Sequence, residues 1–115
     1  MKEMRLFEVG LKSKSRHTGY EEKANVAASD ANEAVAKMRQ WVEDKTKHWW
    51  EEGGLEDAVL LAYTEDIGAP DDMKEADILA TSKYQEQAQK EYAEDMERVT
   101  NLRVAKVLDV GTLIV

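Results

Sequence analysis

The chain has no cysteine. Disulfides, thiolate metal ligands and a cysteine nucleophile are therefore excluded, and the absence is compatible with a reducing compartment. Proline occurs once and glycine six times, which is not the composition of a linker or a disordered tract. Phenylalanine also occurs once, and Ile, Leu and Val are sparse. Alanine supplies much of the apolar count, so the three Trp, four Tyr and five Met are expected to carry an unusual share of the core. No apolar run approaches the roughly 18 residues of a membrane span. The opening Met1-Lys2-Glu3-Met4-Arg5 has no apolar signal core. These absences predict a cytoplasmic protein with no membrane partner.

Charge is abundant and unevenly placed. Residues 1–50 carry ten Lys/Arg against eight Asp/Glu, a formal balance of +2, and residues 51–115 carry six against sixteen, a balance of −10. A folded chain with that split presents a polarised field that steers charged partners. At 115 residues the length suits one domain spanning 1–115.

Hydropathy patterning supplies the elements. Residues 4–12 alternate, with Phe7, Val9 and Leu11 on one face, as a half-buried strand requires. Ser13–Gly19 is polar and closes on glycine. Tyr20–Ala28 alternates again, so the pair reads as a β-hairpin. Ser29 or Asp30 can cap the helix that follows, and Asp30-x-x-Glu33 has capping-box spacing. Ala31, Ala34, Val35, Met38, Trp41 and Val42 form its apolar stripe, which places Trp41 in the core. His48-Trp49-Trp50 and Gly53-Gly54 end the pattern.

The continuous apolar run Ala58–Thr64 predicts a central buried strand. Ala76–Thr81 fits either a short strand or a helical start. Ser82 begins a second helix, with Gln85 as a capping partner and Tyr84, Ala88, Tyr92, Met96 and Val99 on one stripe. Leu102–Val110 is the last strand, and Leu102, Val104, Leu108 and Val110 are assigned to one face. The order β-β-α-β-(β)-α-β predicts an α+β fold: a single small, mostly antiparallel sheet of four to five strands with two helices packed on one face. The apolar end Leu113-Ile114-Val115 is expected to tuck into the sheet or pair with a second copy. The segment Ala28-Ser29-Asp30-Ala31-Asn32-Glu33-Ala34 resembles a strand-to-helix joint of many small bacterial and phage accessory proteins. The resemblance assigns no functional residue.

Chemistry-bearing motifs are few. His17 and His48 stand on separate elements and lack companions at ligand spacing, so no metal site is expected. No nucleophile motif, phosphate-cradling glycine loop or cofactor fingerprint is present, so neither catalytic residues nor a cofactor are expected. Lys12, Lys14 and Arg16 form the basic cluster and are candidates for phosphate contact. The overall acidity argues against nucleic acid. Trp49 and Trp50 are adjacent and point in different directions, so one is a candidate interface anchor. Glu65, Asp66, Asp71, Asp72, Glu75 and Asp77 form a candidate partner-facing acidic group, without the spacing of a calcium loop.

The leading expectation is a non-catalytic protein-interaction module that associates with itself. The alternatives are an acidic decoy that occupies a basic groove on a protein partner, and a small-ligand binder or enzyme with a pocket near Trp49, Trp50 and His48.

Overall fold

The computed structural model describes residues 3–14, 19–67 and 74–112. Its elements are β1 (Arg5–Lys12), β2 (Glu21–Ala28), α1 (Ala31–Trp49), α2 (Leu55–Ile67), α3 (Glu75–Leu79), α4 (Ser82–Thr100) and β3 (Arg103–Thr112). The class is α+β with one antiparallel three-stranded sheet, ordered β2-β1-β3. The chain gathers into two compact units, residues 1–45 with 98–115, and residues 46–97. The boundaries fall within α1 and α4.

In the first unit β1 is the central strand. Phe7, Val9 and Leu11 are buried, as their alternation predicts, and Ala34, Met38 and Val42 of α1 are buried too. β2 pairs with β1 without a slip from Arg5↔Ala28 to Lys12↔Glu21. The Ser13 N–H donates to the Tyr20 carbonyl at 2.9 Å and closes the hairpin base. The pairing of β1 with β3 slips twice, leaving Ala105 and Val110 without a partner residue. These bulges break the single face assigned to Val104 and Leu108. Val104 lies opposite buried Leu11, whereas Leu108 lies opposite Glu8 on the other side.

The start of α1 follows its capping chemistry. Asp30 Oδ1 accepts the Glu33 N–H at 2.8 Å, and the Glu33 carboxylate accepts from both the backbone N–H and the hydroxyl of Ser29. The Ser29 hydroxyl first, then Lys37, lower the Glu33 pKa from 4.5 to about 2. A lowered folded-state pKa gives stability that is present above the ordinary carboxylate pKa and lost as pH falls through the folded one. Between pH 4.5 and about 2 the wild type should therefore lose more of its unfolding free energy than Glu33→Gln does. Urea titrations followed by circular dichroism across that range check this.

Trp41 corrects the sequence reading. It is 46% exposed, because the buried stripe at Ala34, Met38 and Val42 is narrower than predicted and leaves Trp41 on its flank. There Lys45 Nζ lies 4.4 Å from the ring centroid.

The second unit is helical. Residues 58–64, predicted as a strand, lie inside α2. Ala58, Val59, Ala62 and Tyr63 are buried while Leu61 is exposed, which is a helical stripe and not a two-sided strand. Only Val59 and Thr64 in that run are β-branched, and Ala58, Leu60, Leu61 and Ala62 favour a helix. Residues 76–81 likewise fall mostly in α3. The described residues thus hold three strands instead of four to five, and four helices instead of two. The core of this unit is Trp50, Ala58, Val59, Ala62, Tyr63, Ile78, Tyr84 and Ala88. Gln85 does not cap Ser82. Its amide donates to the Leu79 carbonyl at 2.5 Å, tying α4 to the end of α3.

A kink at Trp50–Gly54 separates α1 from α2, and its two glycines serve different ends. Gly53 has φ +137°, where L side chains are strained. A β-carbon at Gly54 would stand 2.6 Å from the Trp49 ring and 2.9 Å from the Trp49 carbonyl oxygen.

Candidate functional site

Two strands lie at the edges of the sheet, β2 and β3. An edge strand presents backbone donors and acceptors with no strand beside them, and proteins usually guard it with outward charges. On β3 the interior charges are turned back. Lys106 Nζ meets Glu8 at 3.0 Å, and Asp109 meets the Arg5 guanidinium at 2.7 Å. The Arg5 hydrogen bond holds the Asp109 carboxyl below its ordinary range, and the pKa of Arg5 is raised in turn. Aliphatic side chains share the surface with them: Val104 is 41% exposed and Leu108 and Val110 are each 47% exposed, beside Lys106 at 47% and Asp109 at 42%. Between the bulges at Ala105 and Val110, the segment Lys106–Asp109 keeps a regular register.

The tryptophan pair separates as the sequence requires. Trp50 is buried, donates its indole N–H to Asp95 at 2.7 Å and lies 5.4 Å from the Tyr92 ring. Trp49 is 57% exposed and meets Trp50 edge-on, with centroids 5.1 Å apart. Trp50 is thus a core residue, and of the pair only Trp49 is available to a partner. His48 is exposed, with its Nδ1 3.9 Å from Glu52. A groove of about 340 Å³ in this unit is lined by Leu55, Glu56, Val59, Leu79, Gln85, Ala88 and Gln89, and not by His48 or the tryptophans.

The acidic candidates are not equivalent. Asp66, near the end of α2, accepts the Tyr84 hydroxyl at 2.8 Å and Lys83 Nζ at 3.0 Å. Those two bonds, Tyr84 first, lower its pKa. It ties α2 to α4. Glu65 is exposed, as are Glu75 and Asp77 in the first turn of α3, where carboxylates suit the helix dipole. Asp71 and Asp72 lie outside the described residues, as do Arg16, His17 and Leu113–Val115.

Lys12 and Lys14 line a pocket of about 420 Å³ at the hairpin end of the sheet, together with Ser13, Gly19, Tyr20, Glu21 and Arg103. Arg103 was not a sequence candidate. It is remote along the chain, and only the β1–β3 pairing, which sets it opposite Lys12, brings it there. The exposed rim of β3 was also missed, because strict alternation gives no sign of where a bulge reverses the face. Among the described residues no three His, Asp or Glu side chains group as a cation site, and no helix is long and apolar enough to cross a membrane.

No protein-family model, no curated protein and no solved structure matches the chain.

Proposed function

We propose that the protein is a non-catalytic protein-interaction module that associates with a second copy of itself through β3. The carrying observation is the aliphatic surface of that edge strand, where Val104, Leu108 and Val110 are exposed while Lys106 and Asp109 are paired to β1. Pairing two β3 strands would satisfy open backbone groups and remove aliphatic surface from water. Such a contact is self-complementary, as two-fold pairing requires. In this reading the protein acts by assembly in the cytoplasm, without a cofactor.

Light scattering over a concentration series tests it. The wild type should move from monomer to dimer mass as concentration rises, and Leu108→Lys should stay monomeric with an unchanged circular dichroism spectrum. A wild type that is monomeric at every concentration contradicts the proposal.

A second reading, the acidic decoy, is favoured by how charge follows the units. Residues 46–97 carry four Lys/Arg and fifteen Asp/Glu, a balance of −11, while the remaining residues carry twelve and nine, a balance of +3. A helical unit so acidic suits a basic groove. The readings separate on ionic strength: salt weakens a contact between opposite charges, whereas aliphatic burial survives it.

A further inference from the structure

We propose that the pocket at the hairpin end of the sheet binds a phosphate dianion, free or as the monoester of a small molecule. Three cations converge there. Lys12 ends β1, Lys14 follows it, and Arg103 opens β3, all lining the same cavity of about 420 Å³. Lys12 and Arg103 are directly opposed across the β1–β3 ladder, an arrangement of like charges that is unfavourable without a counter-charge. The one carboxylate in the lining, Glu21, lies 3.9 Å from Lys12 and is also engaged by Lys23 at 3.2 Å. Among the described residues, no ion pair or side-chain hydrogen bond engages Lys14 or Arg103. The lining therefore has two unspent positive charges, which match a phosphate dianion.

The residue types fit that ligand. A guanidinium presents a planar fork that grips two phosphate oxygens, and lysines add mobile point charges. The cavity has more room than the phosphate itself needs, so a small organic group can accompany it. A long polyanion suits the protein poorly, because the formal net charge of −8 opposes it beyond the immediate pocket.

Amide-resolved NMR titration of the full chain tests the proposal, with sodium chloride holding ionic strength constant. The probes are inorganic phosphate, glycerol 3-phosphate and a short single-stranded DNA oligonucleotide. Saturable shifts at Ser13, Lys14, Gly19 and Arg103 with either phosphate probe support the site, and their relative affinities separate free phosphate from ester. The double variant Lys14→Gln/Arg103→Gln should weaken binding by about tenfold or more. Lys90→Gln, in the other unit, should not change it. Retained amide dispersion in both variants shows that they fold. Linear shifts no larger than those from sodium chloride, wild-type affinity in the double variant, or saturable binding of the oligonucleotide alone would each overturn the proposal.

Discussion

Trp50→Ala should destabilise the 46–97 unit by about 3–5 kcal/mol, the usual range for deleting a large buried aromatic. Trp50 is 7% exposed, belongs to the same core cluster as Val59, Tyr63 and Tyr84, and its ring stands 5.4 Å from that of Tyr92. Truncation also strips Asp95 of the indole N–H that it accepts at 2.7 Å. Against a total stability of about 5–15 kcal/mol for a domain, a loss of this size shows as a large shift in the unfolding midpoint. Chemical denaturation followed by circular dichroism measures it. Trp49→Ala is the matched control. That ring is 57% exposed, so its loss should cost far less. Equal costs at the two positions would show that the kink does not sort the tryptophans as described.

Leu11→Ala is expected to cost about 2–5 kcal/mol, through lost burial and the cavity left behind. Leu11 is fully buried on the central strand, where it lies opposite Glu22 of β2 and Val104 of β3. Neither neighbouring strand can move in to fill the gap without breaking its own register. A guanidinium titration of Leu11→Ala beside Leu108→Ala checks the claim under dilute conditions. The buried leucine should dominate, and the exposed one should change the monomer's stability little. The second variant also isolates β3's surface from its role in the fold.

The parts of the fold that could be read from the chain are those where one physical signal acts alone. Phe7, Val9 and Leu11 alternate without interruption, and their strand lies where the alternation places it. α1 begins at Ala31 because Ser29, Asp30 and Glu33 supply the orphan N–H groups with acceptors or reciprocal bonds. The failure at residues 58–64 has a clear cause. Ala-Val-Leu-Leu-Ala-Tyr is apolar at every position, so neither a period of two nor one of 3.6 can be extracted from it. The sign of a helix lies in Glu56-Asp57, whose carboxylates in its first turn suit the helix dipole. Trp41 illustrates a different limit. Its spacing puts it beside the stripe, and whether the core reaches that far depends on the width of the sheet beneath.

The candidate surfaces were less legible than the fold because they depend on pairing distant strands. Lys12 and Lys14 were identifiable as a cationic cluster, but Arg103 joins them only through the antiparallel register of β3. The exposure of Leu108 and Val104 on opposite sides follows from a skipped residue at Ala105, a local event that side-chain pattern does not encode. The neutralisation of Lys106 by Glu8 and of Asp109 by Arg5 is also a cross-strand property.

Amide hydrogen exchange along Lys106–Asp109, recorded at low and high protein concentration, tests the self-pairing of β3 most directly. The alternate amides that do not bond to β1 should exchange rapidly in dilute protein and become protected as concentration rises, and Leu108→Lys should abolish that protection. Exchange that is indifferent to concentration, with the edge amides as exposed in concentrated as in dilute protein, would contradict assembly through this strand.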